Sequence, residues 1–273
     1  MLAAAAGAAR AQDEAFRLPR AFKVCDDPNN LPFSNARGEG FENRIAALLA
    51  ADLGLPLEVY HYPQRMNVVR NTIRYILPGQ SEYRCDLLPG VPAESSAMAT
   101  TRPYFRSTYV LVYVKGRKFA ADSGAQFLAL PPAVRDGLRI GLYDRTPATQ
   151  WLLKHGLIGQ AAPYRILNPD PAHYPGHIIE RDLVDGKIDA AIVWGPIGGY
   201  FAKQVKDAEL AVVPLVSEPG VRFDYAVAMG VRHGEPAWLA RIQQALDANR
   251  DAIDQVLRDY GVPRVDETGR PLQ

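Results

Sequence analysis

The fold is set by the stretch Val24-Cys25-Asp26-Asp27-Pro28-Asn29-Asn30-Leu31-Pro32-Phe33-Ser34-Asn35. A short apolar strand here runs directly into a polar loop. Pro28 and Pro32 favour extended backbone before them and so fix the path of the loop. Ligands collect at the carboxyl ends of parallel strands, so this loop is predicted to form the lip of a binding cleft.

The residues that flank and follow the lip alternate between apolar strands and amphipathic helices, a pattern typical of a βαβαβ unit. In the first helix the apolar residues recur at a spacing of 3.6, and Gly54 and Pro56 end it. The predicted elements are strands at 22–26, 57–62 and 86–91 and helices at 41–53 and 66–77.

A second alternating series follows the strand at 109–114 and predicts a second α/β domain. Thr146 is predicted to cap a helix that begins at Pro147. The chain then returns through a strand at 223–231 and helical segments between 236 and 260. Two strands therefore cross between the domains, and the ligand cleft is expected between them.

The fold class predicted from this pattern is α/β with two lobes, each a mostly parallel sheet flanked by helices. The predicted boundaries are 16–114 plus 220–263 for the first lobe and 115–219 for the second lobe. Residues 264–273 are predicted to be a disordered tail.

The first fifteen residues are predicted to be the remnant of a signal peptide or a disordered terminus. Ala9-Arg10-Ala11 fits the small-x-small pattern of a secretory cleavage site, although a basic segment before it is missing. The sequence thus favours export to the periplasm.

Composition excludes several classes of partner. The net charge is +1, which gives no field for attracting nucleic acid, and no apolar run approaches the roughly 20 residues that span a bilayer. Cys25 and Cys85 form one disulfide in an oxidising compartment or remain two buried thiols, and the sequence leaves both alternatives open.

Four groups of segments resemble the periplasmic solute-binding protein superfamily with two crossing strands (class II), in the branch called MxaJ and XoxJ that is associated with quinoprotein methanol dehydrogenases. They are CDDPNNLPFSN with GEGFENRIAALLA, YPQRMNVVRNT with RCDLLPGVP, TTRPYFRSTYVLV, and TPATQWLLKHG with GKIDAAIVWGPIGGYFAK. The resemblance covers roughly residues 22–265, and the first and last strings are specific to the branch.

The resemblance implies a periplasmic binding-protein fold without catalytic activity or a cofactor of its own. It also implies an accessory protein that engages a dehydrogenase dependent on pyrroloquinoline quinone (PQQ), with the lanthanide-dependent type favoured. The alternative is the solute-binding protein of an ABC importer that captures a small polar molecule other than an amino acid.

Amino-acid-binding members of the superfamily hold their ligand with an arginine after the third strand and an acid in the second lobe. This chain resembles them in fold but departs at both positions, which align near Glu94 and at Trp194. A bound amino acid would meet a repelling charge and leave its ammonium group unpaired, which costs several kcal/mol.

The predicted cleft combines aromatic side chains with short hydrogen-bonding groups, which suits a small polar ligand or a loop of a partner protein. The candidate contacts are Asp26, Asn29, Asn30, Phe33, Glu94, Tyr104, Asp144, Arg145, Thr146 and Trp194.

No metal site and no catalytic site is predicted. His173 and His177 are separated by Pro175 and Gly176, which forbid the helix that would align both rings on a metal ion. The sequence also contains none of the GxSxG, HExxH, GxxxxGKS/T or GxGxxG motifs in a suitable setting.

Overall fold

The computed structural model describes residues 18–63, 67–165 and 173–272, so the predicted signal-peptide segment 1–15 lies outside the described residues. The first part of the chain forms β1 (Phe22–Asp26), β2 (Asn29–Asn30), β3 (Ser34–Asn35), α1 (Phe41–Leu53), β4 (Leu57–His61), α2 (Val68–Asn71), β5 (Leu88–Pro92), β6 (Ala99–Thr100) and β7 (Phe105–Val114). The middle part forms α3 (Gly124–Leu128), α4 (Pro132–Arg135), β8 (Ile140–Tyr143), α5 (Pro147–Lys154), a 3₁₀ turn (Ile158–Gln160), β9 (Ala161–Tyr164) and a π-helical segment (Ile178–Leu183). The last part forms β10 (Ala190–Trp194), α6 (Gly195–Gln204), β11 (Leu210–Pro214), β12 (Asp224–Val231), α7 (Pro236–Ala248) and α8 (Arg250–Asp259).

The first lobe is a mixed sheet with helices packed on it. Strand β1 pairs in parallel with β4 and, through Val24 and Leu87, with the chain just before β5. Strand β12 pairs antiparallel with β5, β6 and β7. The apolar stripe of α1 and the helices α7 and α8 bury Phe22, Phe41 and Ile242 on one face of this sheet. The bounds of β1 and α1 are those predicted from the sequence.

The second lobe is a sheet with the strand order β11-β7-β10-β8-β9, in which the central strand β10 pairs in parallel with β8, and β8 with β9. Strand β7 continues into this sheet and pairs antiparallel with β10 and β11. Leu111, Ile140 and Ile192 are completely buried here against α5. Both lobes are therefore α/β layers built on their own cores.

Strand β7 belongs to both lobes and marks the true boundary between them. Residues 105–108 pair with β12, whereas residues 109–114 pair with β10 and β11. Val221 and Phe223 likewise pack in the core of the second lobe. The predicted boundaries at 114 and 220 are therefore wrong by several residues, because a long strand that crosses between lobes gives no break in its apolar pattern.

Helix α6 fastens the second lobe to the first. A Cβ atom on Gly199 would lie 1.9 Å from the carbonyl oxygen of Gly261, so only glycine allows these two backbone segments to approach. One residue further along, the ring of Tyr200 stacks on Tyr260, with ring centroids 5.6 Å apart and planes 16° apart. We call this contact between α6 and residues 260–261 the seam.

The lip also reaches the second lobe. Leu31 and Phe33 pack against the apolar cluster that contains Ile197 and Phe201 of α6. Phe33 contacts the first lobe as well, since its ring centroid lies 5.3 Å from that of Phe41. The lip therefore contacts α6, the helix that also forms the seam.

The predicted disorder of the tail at 264–273 is wrong for the residues that the structure describes. Val265 is buried, and its backbone N–H donates to the carbonyl oxygen of Arg106 in β7 at 3.1 Å. The burial of Val265 and its hydrogen bond to β7 therefore order the segment. Gln273 lies outside the described residues.

The helix predicted at 66–77 is limited in the structure to Val68–Asn71, and Met66 lies outside the described residues. The guanidinium group of Arg232 donates to the carbonyl oxygens of Ile73 and Cys85 at 3.1 and 2.6 Å. The side chain of Arg232, the residue after β12, therefore binds the carbonyl oxygen of Ile73, and the chain does not continue the helix there.

Cys25 and Cys85 are joined in a disulfide, with their Cα atoms 5.6 Å apart. The backbone N–H of Cys25 donates to Leu87, and that of Asp86 donates to Lys23, so the two segments lie side by side. The disulfide closes a loop with a sequence separation of 60 residues.

Replacing both cysteines, Cys25→Ala with Cys85→Ala, should lower the free energy of unfolding by about 4 kcal/mol, because the unfolded chain loses a long closed loop. Urea denaturation of the variant and the parent measures this difference. The parent protein in excess reductant is the control and should approach the variant. A difference below about 1 kcal/mol would contradict the expectation.

Candidate functional site

A groove of about 540 Å³ lies between the lip and the second lobe. We call it the interlobe groove. Its lip side is formed by Pro28, Asn29, Leu31, Asn35, Ala36 and Arg37, and its second-lobe side by Tyr174, Glu180, Tyr200, Phe201 and Gln204. Aromatic rings and charged ends thus face each other across the two lobes.

Asp26, predicted as a ligand contact, is turned into the first lobe and is 2% exposed. His61 Nδ1 lies 2.5 Å from its Oδ1, and the Asn43 side-chain amide donates to its Oδ2 at 2.6 Å. Burial raises the pKa of the Asp26 carboxyl, although His61 and Asn43 both act to lower it. Asp26 therefore stabilises the lip and the start of α1 from the interior of the first lobe.

Side chains of the first lobe hold the lip in one shape. Asn43 Oδ1 accepts from the backbone N–H groups of Asn35 and Gly40 at 3.1 and 3.0 Å. The Ser34 hydroxyl bonds to the backbone of Asp27 in both directions. The lip is thus a small hairpin whose position is set by α1 and β1.

Among the predicted lip contacts, Asn29 is exposed and lines the interlobe groove, while Asn30 is half-buried. Both belong to β2 and pair with Ser34 and Asn35. Phe33 is half-buried between the apolar clusters of the two lobes. Its role in the structure is to pack the lip, and the groove is lined by its neighbours.

Glu94 forms a bidentate ion pair with Arg222, with distances of 2.9 and 2.8 Å. Arg222 lies two residues before β12. Its guanidinium group lies over the ring of Tyr225, 4.7 Å from the centroid. The hydrogen bonds from the Arg222 guanidinium group lower the pKa of the Glu94 carboxyl group. At this position the chain therefore offers a paired carboxylate.

Trp194 ends β10 and packs between aromatic rings. Its ring centroid lies 5.6 Å from that of Tyr109 and 5.9 Å from that of Tyr225. A cluster of inclined aromatic rings thus connects the two crossing strands at the position where amino-acid-binding members are expected to place an acid.

The predicted contacts Asp144, Arg145 and Thr146 join β8 to α5 in the second lobe, and they are not among the residues that line the interlobe groove. The backbone N–H of Asp144 donates to Tyr164, and the Thr146 hydroxyl donates to the carbonyl oxygen of Tyr143 at 2.7 Å. Thr146 precedes the helix as predicted, but its side chain does not cap it. Arg145 is exposed and has a left-handed backbone with φ of 58°, a conformation that ordinary residues adopt at an energetic cost.

Tyr104 lies near Glu42, a residue that the sequence did not indicate as part of the site. Its hydroxyl is buried and has no hydrogen-bond partner among the described residues, and burial raises its pKa well above the ordinary value. After burial, the largest cause of the raised pKa of Tyr104 is the negative charge of Glu42, the second residue of α1.

Glu42 is 2% exposed, and its Oε2 accepts no hydrogen bond within the described part of the chain. Burial, with a smaller effect of Asp26, raises the pKa of Glu42 to about 8. Gly90 of β5 lies directly beside it, since a Cβ atom on that residue would be 2.2 Å from Glu42 Oε1. In the sequence, Glu42 looks like an ordinary helix-start acid, so only tertiary structure reveals its isolation.

His173 and His177 face each other edge to face, with ring centroids 5.2 Å apart. Within residues 18–63, 67–165 and 173–272, three or more His, Cys, Asp or Glu side chains do not converge in a way that could hold a metal ion. Over the same residues, every helix is too short or too polar to cross a bilayer.

The isolated carboxyl group of Glu42 gives a pH-dependent stability. Its pKa is higher in the folded chain than the ordinary 4.5, so its protonated form favours folding. This contribution is complete below about pH 4.5 and is lost as the pH rises toward 8. Relative to the parent, Glu42→Gln should therefore gain about 4 kcal/mol of unfolding free energy between pH 4.5 and pH 8.

Urea denaturation at both pH values measures the difference between the variant and the parent. Glu58→Gln, a change of an exposed glutamate in β4, is the matched control and should show no such trend. A constant difference between Glu42→Gln and the parent across this range would show that the carboxyl group is not isolated.

Comparison with known proteins gives a consistent set of relatives. The protein MoxJ of Paracoccus denitrificans is 28% identical over 257 residues, which is 88% of each chain. The crystal structure of the periplasmic binding protein XoxJ from Methylobacterium extorquens AM1 is similar to this chain with a TM-score of 0.72 and 34% identity, covering 90% of this chain and 100% of XoxJ.

The crystal structure of MxaJ from Methlophaga aminisulfidivorans MPT has a TM-score of 0.73 at 22% identity, covering 90% of this chain and 100% of MxaJ, and this likeness shows the fold. No family model matches the chain. The identity to XoxJ over its whole length, together with the two-lobed fold, leads to one conclusion: the chain belongs to the XoxJ/MxaJ branch of the periplasmic binding proteins.

Proposed function

We propose that this protein is a periplasmic, non-catalytic accessory protein of methanol oxidation. In this proposal it engages a PQQ-dependent methanol dehydrogenase, of the lanthanide-dependent type, through the rim of the interlobe groove. Similarity to XoxJ and MoxJ over most of the chain supports the methanol-oxidation setting. The disulfide is in keeping with an oxidising compartment such as the periplasm.

The observation that carries the proposal is the chemistry at the two amino-acid anchor positions. Glu94 is already paired with Arg222, and Trp194 is packed between two tyrosine rings. A zwitterion bound between these two positions would have to break a bidentate ion pair and would find no acid at Trp194 for its ammonium group. Capture of a free amino acid is therefore disfavoured.

The contacts between the lobes also favour a docking protein. A solute trap closes around its ligand by rotation about the crossing strands. Here the seam at Gly199 and Gly261 and the lip at Leu31 both hold α6 against the first lobe. We expect the groove to act as a fixed surface with exposed polar groups such as Asn29 and Arg37 at its edge.

The direct test mixes the tagged full chain with the purified dehydrogenase and measures association by biolayer interferometry and dye-linked methanol oxidation. Two charge changes among the residues that line the groove, Asn29→Arg and Arg37→Glu, should each weaken association by about tenfold, because an altered charge at a docking surface disturbs complementarity. Both positions are exposed, so the variants should fold.

The matched control is Arg258→Glu, an exposed position on α8 on the outside of the first lobe, whose side chain bonds only to Gln255 among the described residues. It should leave association unchanged. The proposal fails if the parent protein neither associates with the dehydrogenase nor alters methanol oxidation, or if the control weakens association as much as the rim variants do.

The volume of the interlobe groove supports a second candidate, the solute-binding protein of an importer for a small polar molecule. A solute present at 100 times its dissociation constant would stabilise the fold by about 2.7 kcal/mol. A thermal-shift panel of polar solutes decides between the candidates. A rise of several degrees that Asn29→Arg abolishes would favour solute capture.

A further inference from the structure

The buried polar groups around Glu42 are a feature that the proposed function does not use. Glu42 Oε2 and the Tyr104 hydroxyl are both buried, and neither has a hydrogen-bond partner in the described part of the chain. Native structures rarely leave such groups unpaired, because an unmet polar group in a buried setting costs about 1–3 kcal/mol. Two such groups side by side indicate a site whose partner comes from outside.

Glu42 lies directly beneath an exposed glycine, Gly90. Glu42 is at the start of α1, and Gly90 is near the carboxyl end of β5, so both are at the edge of the first-lobe sheet where ligands collect. Gly90 is exposed and has a φ of 68°, and Glu42 Oε1 occupies the space that a side chain there would need. Because Gly90 has no side chain, only its backbone lies between the Glu42 carboxyl group and the surface.

The charges around the site select the kind of ligand. Asp26 is the nearest other carboxyl group that acts on Glu42, and its two oxygens are engaged by His61 and Asn43. The backbone of Gly90 lies near the Tyr104 hydroxyl and acts to lower its pKa, against the larger effect of burial. The site therefore presents two acceptor oxygens, those of Glu42 and Tyr104.

We propose that Glu42 and Tyr104, beneath Gly90, form a receptor for a primary ammonium group. An ammonium has three N–H donors on a compact charge, so it can bond to the carboxylate and the phenol oxygen together. Calcium needs six or more oxygen ligands, which one carboxylate and one phenol do not supply. A guanidinium is wider and seeks a bidentate carboxylate, whereas Glu42 Oε1 abuts Gly90.

The electrostatics of the site agree with this assignment. The pKa of Glu42 is raised to about 8 mainly by burial, so the group is held neutral near pH 7 unless a cation offsets its charge. A bound ammonium would return the carboxyl group to its ionised form. The inference does not rest on the proposed function, since it concerns only groups of this chain.

The test uses the full chain labelled with ¹³C at glutamate Cδ, with the Glu42 resonance assigned by its loss in Glu42→Gln. Titration with n-butylammonium chloride at pH 7 should move this resonance toward the ionised position in a saturable way. Tyr104→Phe should weaken the binding at least about threefold, because one acceptor is lost. Glu58→Gln, at an exposed position, is the matched control and should bind as the parent does.

Tetramethylammonium chloride at the same concentration separates recognition from ionic strength, since it carries the charge but no N–H donor. It should leave the Glu42 resonance in place. The proposal is overturned if n-butylammonium up to 50 mM, roughly the millimolar range of weak single-group binding, leaves the Glu42 resonance unchanged. It is equally overturned if tetramethylammonium moves it as far.

The natural ammonium group comes either from a small amine or from a lysine side chain of a polypeptide, and two further probes separate these sources. Methylammonium represents a free amine, and Nα-acetyl-lysine methylamide represents a lysine within a chain. Tighter binding of the lysine derivative would identify a protein ligand, whereas tighter binding of methylammonium would identify a small solute. Either result supports the receptor, and failure of both contradicts it.

Discussion

The close contact of α6 with the end of the chain is the constraint on which the rest of the structure depends. Backbone atoms meet backbone atoms at Gly199 and Gly261, and no side chain larger than hydrogen fits between them. The same helix accepts Leu31 and Phe33 of the lip on its flank. Helix α6 therefore determines both the relative position of the lobes and the shape of the groove between them.

The groove retains the position of a binding-protein cleft with different chemistry. The positions at which amino-acid-binding members of the superfamily are expected to anchor their ligand hold an ion pair, Glu94 with Arg222, and a cluster of aromatic rings around Trp194. Glu42, a buried acid whose Oε2 has no hydrogen-bond partner in the described part of the chain, lies in the first lobe beneath Gly90. These observations are the basis for proposing recognition of a partner or an amine rather than enclosure of a zwitterion.

Much of the fold could be predicted from the sequence because its signals are local. The alternation of strands and helices and the glycine stop at Gly54 predict β1 and α1 with the observed bounds. The lobe boundary and the ordered tail could not be predicted in this way. They depend on pairing between distant segments, such as Val265 with Arg106 of β7.

The candidate site shows the same division. Asn29 is exposed and lines the groove, as its place after a strand suggests, but Asp26 points inward, where His61, 35 residues away, bonds to it. Glu94 meets a partner 128 residues away. The isolation of Glu42 depends on the absence of a side chain at Gly90, which no pattern in the sequence near α1 indicates.

The claim that α6 holds the two lobes in one arrangement is tested most directly by a distance measured between them. Spin labels at Ala47→Cys on α1 and Gln150→Cys on α5 occupy exposed positions in different lobes. Double electron–electron resonance should give one narrow distance distribution in the parent protein, which broadens when Gly199→Val disrupts the seam. A broad or two-component distribution in the parent protein would contradict the fixed arrangement.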